Sequence, residues 1–245
     1  MSDTPEEEPP ILDPGKVLDF WNSRARKMAS GDKVNLSNLE PDVELARRKQ
    51  AEERQVLDQY IRPAASDRVL DLGAGHCAWA AYLSGRVAHV DCVEFSREMA
   101  AVGQQYLAEN KVGNVTVHCM PAQEYQARDP YDIILISGLL IYLNPADFKR
   151  LLANLDSLLA RGGRIILRDG TAREETYTIC GRYSEGLQAD YSAHYRTARQ
   201  YIDSFAQAGF EIVRHQNMYA DGSVFNKWKE TILRVYEFRR AGDSR

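Results

Sequence analysis

The stretch Val69-Leu70-Asp71-Leu72-Gly73-Ala74-Gly75-His76-Cys77-Ala78 runs from an apolar β-type segment into a glycine-rich turn and then a helix-forming window. Gly73 and Gly75 can take backbone angles closed to other residues, and their missing side chains let a ligand approach the main chain. Downstream, a second apolar run, Asp91-Cys92-Val93-Glu94, ends on a carboxylate. An acid at that spacing can accept hydrogen bonds from both hydroxyls of an unphosphorylated ribose. Turn and acid together specify an adenosine.

Asp71 selects among adenosine ligands. Its carboxylate sits just before the first glycine, where it repels a pyrophosphate and attracts an ammonium group. S-adenosylmethionine (SAM) carries an ammonium and no phosphate, so it matches this turn better than a nicotinamide dinucleotide does.

Such residues need a scaffold that brings strand ends together. From Arg68 the chain alternates short β-rich runs with helical windows, the pattern of right-handed βαβ units and a parallel sheet. The expected strands are Arg68 to Leu72, His89 to Glu94, Val115 to Cys119, Tyr131 to Ser137 and Gly163 to Arg168. Helices are expected over Cys77 to Ser84, Arg97 to Asn110 and Pro145 to Ala160. A last helix, Thr197 to Ala208, precedes two closing strands, Phe210 to His215 and about Glu230 to Phe238. The link between those strands lacks a crossover helix, which predicts an antiparallel pair.

Upstream, Val17, Phe20, Trp21, Arg24 and Met28 recur at helical spacing over Lys16 to Ala29. Ser30 to Asn38 reads as a polar loop. A longer helix follows from Pro41 to about Ile61, with Val43, Leu45, Ala46, Val56, Leu57, Tyr60 and Ile61 able to face inward and the mixed charges of Arg47 to Arg54 forming a solvated face. The expected organisation is a disordered acidic tail (1–13), an N-terminal helical lid (14–65) and a Rossmann-like domain (66–245) with a lid insertion at about 170–196.

At this point the sequence resembles the small-molecule members of the class I SAM-dependent methyltransferase superfamily. The resemblance covers roughly residues 66 to 170 plus the closing helix and strands. It implies a doubly wound, mostly parallel seven-stranded sheet with an antiparallel last strand. It also implies that Asp71, Gly73, Ala74 and Gly75 form the first SAM motif, with Glu94 as the ribose acid. Phe95 then borders the adenine, Ala122 and Gln123 lie near its amino group, and Ser137 ends the fourth strand under the methionine part. Cys77 stands where many relatives place a third glycine, and Ala122-Gln123 replaces a frequent aspartate. Ser137-Gly138-Leu139-Leu140 lacks the Asn/Asp-Pro-Pro-aromatic signature of amino-methylating DNA enzymes.

A methyl group activated by a sulfonium needs an aligned nucleophile and exclusion of water, not a nucleophilic side chain. An acceptor that must lose a proton needs a base, for which His194, Tyr191 and Tyr195 are the candidates; His194 also reads as an exposed loop residue. Tyr177, Tyr183, Tyr191 and Tyr195 crowd the insertion, and Phe20 and Trp21 can close over the site, as a cage for a cation or as ordinary packing. Arg24, Arg168 and Arg196 are candidates for an anionic group of the substrate or the SAM carboxylate.

Composition bounds these readings. The 245 residues are 44% hydrophobic and 27% charged, which fits an ordinary globular chain. A net charge of −4 gives no positive field to gather phosphate backbones, so nucleic acid is not the expected partner. Cys77, Cys92, Cys119 and Cys180 form no Cys-x-x-Cys pair, which predicts reduced thiols, largely buried, and no metal site. Met1 to Pro10 lacks the pattern of a signal peptide, and no run is long enough to span a membrane. The sequence therefore predicts a cytoplasmic monomer or homodimer of secondary metabolism that methylates a small polar molecule at oxygen or nitrogen. Two alternatives keep the ligand: cyclisation of SAM's own aminobutyrate chain to azetidine-2-carboxylate with release of methylthioadenosine, and a non-catalytic SAM sensor.

Overall fold

The structure is a computed structural model that describes residues 10–30, 42–184, 187 and 189–243. Five strands run parallel at its centre: β1 (Arg68–Leu72), β2 (His89–Glu94), β3 (Val115–Cys119), β4 (Tyr131–Ser137) and β5 (Leu159–Ala172). With β8 (Phe210–Asn217) and β9 (Thr231–Arg240) they form one sheet in the order β3-β2-β1-β4-β5-β9-β8. β9 alone runs antiparallel to its neighbours β5 and β8, as a connection without a crossover helix predicts. The order reverses direction between β1 and β4, and a ligand crevice forms outside the strand ends at such a switch.

Strands buried on both faces read as continuous apolar runs, and β4 (Ile133 to Ile136) and β5 (Ile165 to Leu167) are fully buried. One face packs on α5 (Pro145–Leu158) and α6 (Ala198–Gln207) through Leu151, Leu155, Tyr201 and Phe205. The other packs on α2 (Val43–Ile61), α3 (Ala78–Ser84) and α4 (Arg97–Glu109) through Leu57, Ile61, Leu83 and Leu107. Thr197 and Gln200 close a reciprocal capping box that fixes the start of α6.

α1 (Pro14–Ala29) begins at Asp13, whose carboxylate accepts the Gly15 and Lys16 amides at 2.9 and 3.3 Å. Three contacts hold the helix over the strand ends. Asn144 takes the Leu12 N–H at 2.8 Å and donates to the Leu12 carbonyl at 2.9 Å; Ser96 Oγ meets Asn22 at 2.6 Å; Arg26 pairs with Glu98 at 2.6 Å.

Several expectations need correction. The tyrosine-rich stretch is a two-stranded antiparallel sheet, β6 (Tyr177–Ser184) and β7 (Ala189–Tyr195), where the sequence suggested no regular element. β5 starts earlier than Gly163, because a register shift between Tyr131 and Ile133 of β4 accommodates the Gly162 turn. Val43 is exposed, whereas Glu53, from the run read as solvated, is buried. Cys77 and Cys92 are buried, but Cys119 and Cys180 are exposed, and all four are free thiols. The expected acidic tail and polar loop fall largely on 1–9 and 31–41, outside the described residues. Among the described residues, no helix is long and apolar enough to cross a membrane.

Candidate active site

The glycine turn is shaped by two left-handed residues, Gly73 (φ +74°) and Gly75 (φ +55°), followed by Cys77 in the same region at φ 62°. The Gly73 and Ala74 amides donate to the Val93 carbonyl at 2.9 and 3.1 Å, which ties the turn to the end of β2. A methyl group at Gly73 would lie 2.9 Å from Leu139 Cβ, so the loop after β4 occupies the space that the missing side chain leaves.

Glu94 locks into this turn. Its two oxygens accept the Gly75 amide at 2.9 Å and the Ser96 amide at 2.8 Å. Burial raises its pKa, and the backbone amides of Ser96, Gly75 and Phe95 pull it back. Each oxygen retains lone-pair capacity beyond those bonds. Asp71 is different: it is buried, and neither oxygen has a partner among the described residues. Burial, with the Glu94 charge beside it, pushes its pKa up to about 7.

A cleft of about 1530 Å³ opens over these groups, lined also by Phe95, Ala122, Gln123, Ser137, Arg168 and Asp169. Its roof is aromatic. Trp21 packs edge-on to Tyr142 at 5.4 Å and Phe20 to Tyr191 at 5.6 Å, while the hydroxyls of Tyr191 and Tyr195 meet at 2.9 Å. Beneath this roof lies Arg24, buried, 5.0 Å from the Phe20 ring centre, with both terminal nitrogens unpartnered among the described residues. An unpaired carboxylate and an unpaired guanidinium therefore share one cleft, and each demands a counter-charge there.

A sequence-family model described as "Methyltransferase domain" matches residues 69–163, from β1 to the start of β5. Over this stretch the chain is similar to a methyltransferase domain. The chain is 30% identical over 124 residues to a malonyl-[acyl-carrier protein] O-methyltransferase of Bacillus cereus, covering 50% of this chain and 44% of that one. It spans about half the length of the curated relatives it matches. In three dimensions it is similar to the [4+2]-cyclase SpnF, with TM-score 0.72, 13% identity and coverage of 96% of this chain and 99% of the other. It is also similar to the 1,6-didemethyltoxoflavin-N1-methyltransferase of Burkholderia thailandensis solved with S-adenosylhomocysteine (TM-score 0.64, 18% identity, 95% and 92% covered).

The cofactor that the family resemblance implies is SAM, and the residues present fit it. Glu94 offers fixed acceptors beside a bare backbone turn, and Asp71 and Arg24 are an anion and a cation without partners. Among the described residues, no cluster of His, Cys, Asp and Glu could hold a metal ion.

The structure gathers most sequence-predicted site residues at this cleft: Asp71, Gly73, Ala74, Gly75, Glu94, Phe95, Ala122, Gln123, Ser137, Trp21, Tyr177, Tyr183, Tyr191, Tyr195 and Arg168 all line it. His194 and Arg196 lie elsewhere. His194 is buried in β7 with Nδ1 2.6 Å from Thr178 Oγ1, which is neither an exposed loop nor the cleft wall. Arg196 donates to the Leu140 and Leu143 carbonyls at 2.8 and 2.9 Å and stacks over Phe148, so it pins the loop after β4. Both follow from strand alternation, which turns 194 away from the side that 191 and 195 present.

Asp169, Tyr142, Glu53 and Tyr219 also line the cleft and escaped the sequence reading. Asp169 accepts the Leu140 and Gly170 amides, each at 2.8 Å, and burial raises its pKa to about 7. Its place after Arg168, at the carboxyl end of a parallel strand, was a usable signal.

Proposed function

We propose that this chain is a SAM-dependent methyltransferase that methylates a small polar metabolite at oxygen or nitrogen. One observation carries the reading: the cleft buries the Asp71 carboxylate and the Arg24 guanidinium without partners, beside an acid fixed on a glycine turn. A zwitterionic amino-acid tail joined to a ribose satisfies all three groups.

When bound, SAM supplies a methyl group activated by its own sulfonium. In this reading Glu94 accepts the ribose hydroxyls, Gly73, Ala74 and Gly75 leave room beneath the sugar, and Phe95, Ala122 and Gln123 border the adenine. Asp71 holds the ammonium and Arg24 the carboxylate. Ser137 and Trp21 flank the methionine portion. The roof rings turn π-faces and hydroxyls toward a cation and exclude water.

Burial keeps the tyrosine hydroxyls protonated: Tyr195 is pushed up to about 12, and Tyr142 and Tyr191 also rise. They therefore orient an acceptor as donors and do not deprotonate it. The volume of the cleft exceeds that of common single-ligand pockets, roughly 300–1,000 Å³, which suits a cofactor and a second molecule. The Bacillus relative is named an O-methyltransferase, which favours oxygen as the acceptor atom.

The fold neighbour SpnF is named a cyclase, so the reaction has to be read chemically. Chromatography after incubation with SAM, alone and then with metabolite pools, makes the test. S-adenosylhomocysteine formed only with an acceptor is the expected result. Methylthioadenosine formed without one supports cyclisation to azetidine-2-carboxylate instead, and unchanged SAM in every incubation supports a sensor.

A further inference from the structure

The strands step across the cleft at one level. Leu72 pairs with Ile136 and Ser137 with Arg168, so Gly73 just after β1, Ser137 at the end of β4 and Arg168 within β5 stand in a row. Neighbouring strands lie about 4.8 Å apart, which puts Arg168 roughly 10 Å from Gly73. Alternation places Asp71, Ser137 and Arg168 on the face that packs against α2. A cofactor lying over β1 and β4 leaves the next space, at β5, for the molecule that meets its methyl group.

Arg168 is buried to nine-tenths in that space. One terminal nitrogen lies 2.7 Å from Glu53, the other reaches only Ser137 Oγ at 3.5 Å, and Nε has no partner among the described residues. Glu53 is occupied from behind, since its second oxygen accepts the Tyr219 hydroxyl. α2, β5 and the β8–β9 connection thus meet at a guanidinium that keeps donors unused in the cleft wall.

We infer that the acceptor is a carboxylate and that Arg168 holds it beside the methyl group. This rests on the methyl-transfer reading above. A carboxylate oxygen attacks the methyl carbon, a C–O bond forms, and the C–S bond breaks with its electron pair returning to sulfur. A neutral methyl ester and a neutral thioether leave, and no proton moves. The reaction needs no base, which suits a roof whose Tyr142, Tyr191 and Tyr195 stay protonated and a His194 that lies in the hairpin. A planar guanidinium matches a carboxylate in two parallel hydrogen bonds. Glu53 keeps the buried cation paired while no acceptor is present.

The test uses protein saturated with S-adenosylhomocysteine, with calorimetry of that ligand judging the cofactor reading separately. Saturation-transfer NMR then probes benzoate against its neutral analogue benzamide. Benzoate is expected to bind and benzamide not. Glu53→Gln frees the guanidinium and is expected to tighten benzoate by about ten-fold, the equivalent of one lost competing charge contact. Arg168→Met leaves a lone buried carboxylate and can fail to fold, so the deciding variant is Glu53→Gln with Arg168→Met, which removes both charges. It is expected to abolish benzoate binding and keep S-adenosylhomocysteine affinity. No benzoate signal, equal binding of benzamide, or benzoate binding that survives the double variant overturns the proposal. With methyl-labelled SAM and metabolite pools, label released by alkali as methanol supports it. Alkali-stable label sinks it, and no transfer of label sinks the underlying reading with it.

Discussion

Asp71 is where ligand binding and stability pull apart. An unfolded aspartate titrates near 3.9, and in this fold the group is pushed up to about 7, so the folded state binds its proton more tightly. The stability this contributes is present below about pH 4 and is lost as pH rises through about 7. Asn cannot ionise, so Asp71→Asn is expected to raise the melting temperature of the ligand-free protein at pH 8, with a gain that shrinks toward pH 4. The same variant is expected to weaken SAM binding and flatten its rise with pH between 6 and 8, both read by calorimetry. A lower melting temperature at pH 8 refutes the argument. Glu94→Gln tests the other end: losing a charged acceptor costs about 1.5–3 kcal/mol per bond, or roughly 10- to 100-fold in S-adenosylhomocysteine affinity. At this scale the sequence spoke clearly where chemistry and spacing coincide, as at Asp71, Gly73 and Glu94. It hid Glu53, because one buried acid inside an alternating charged run looks like its solvated neighbours.

At the scale of elements, α1 is joined to the domain by few polar contacts, of which the two-way bond between Asn144 and the Leu12 backbone is the most directional. Asn144→Ala is expected to speed amide hydrogen exchange in α1, leave β1 and β4 unchanged, and weaken S-adenosylhomocysteine binding a few-fold, because Arg24 and Trp21 ride on that helix. Unchanged exchange in α1 refutes the clasp. The parallel strands were legible because burial on both faces writes continuous apolar runs bounded by turns. The β6–β7 hairpin was not, since its outer residues are polar and exposed, Gly181 interrupts it, and its register shifts between Ile179 and Arg182. His194 was misplaced for the same reason: without the strand, alternation could not be applied.

For the whole molecule, the site is one cleft at the switch point of a single sheet, so a ligand that fills it stabilises sheet and helices together. At a hundred times its dissociation constant a ligand adds about 2.7 kcal/mol, which for a chain of this size is roughly 5–10 °C in melting temperature. S-adenosylhomocysteine is expected to give that shift, and a flat response in a thermal scan removes the cofactor assignment. β5 spans both halves of this architecture. It pairs in parallel with β4, runs antiparallel against β9, and then carries Arg168, Asp169 and Gly170 into the cleft. A change at those positions is felt along the ladder that joins the two halves, whereas a change in the hairpin or α1 is felt locally. Descendants that acquire new acceptors are therefore expected to diverge in the roof long before the floor.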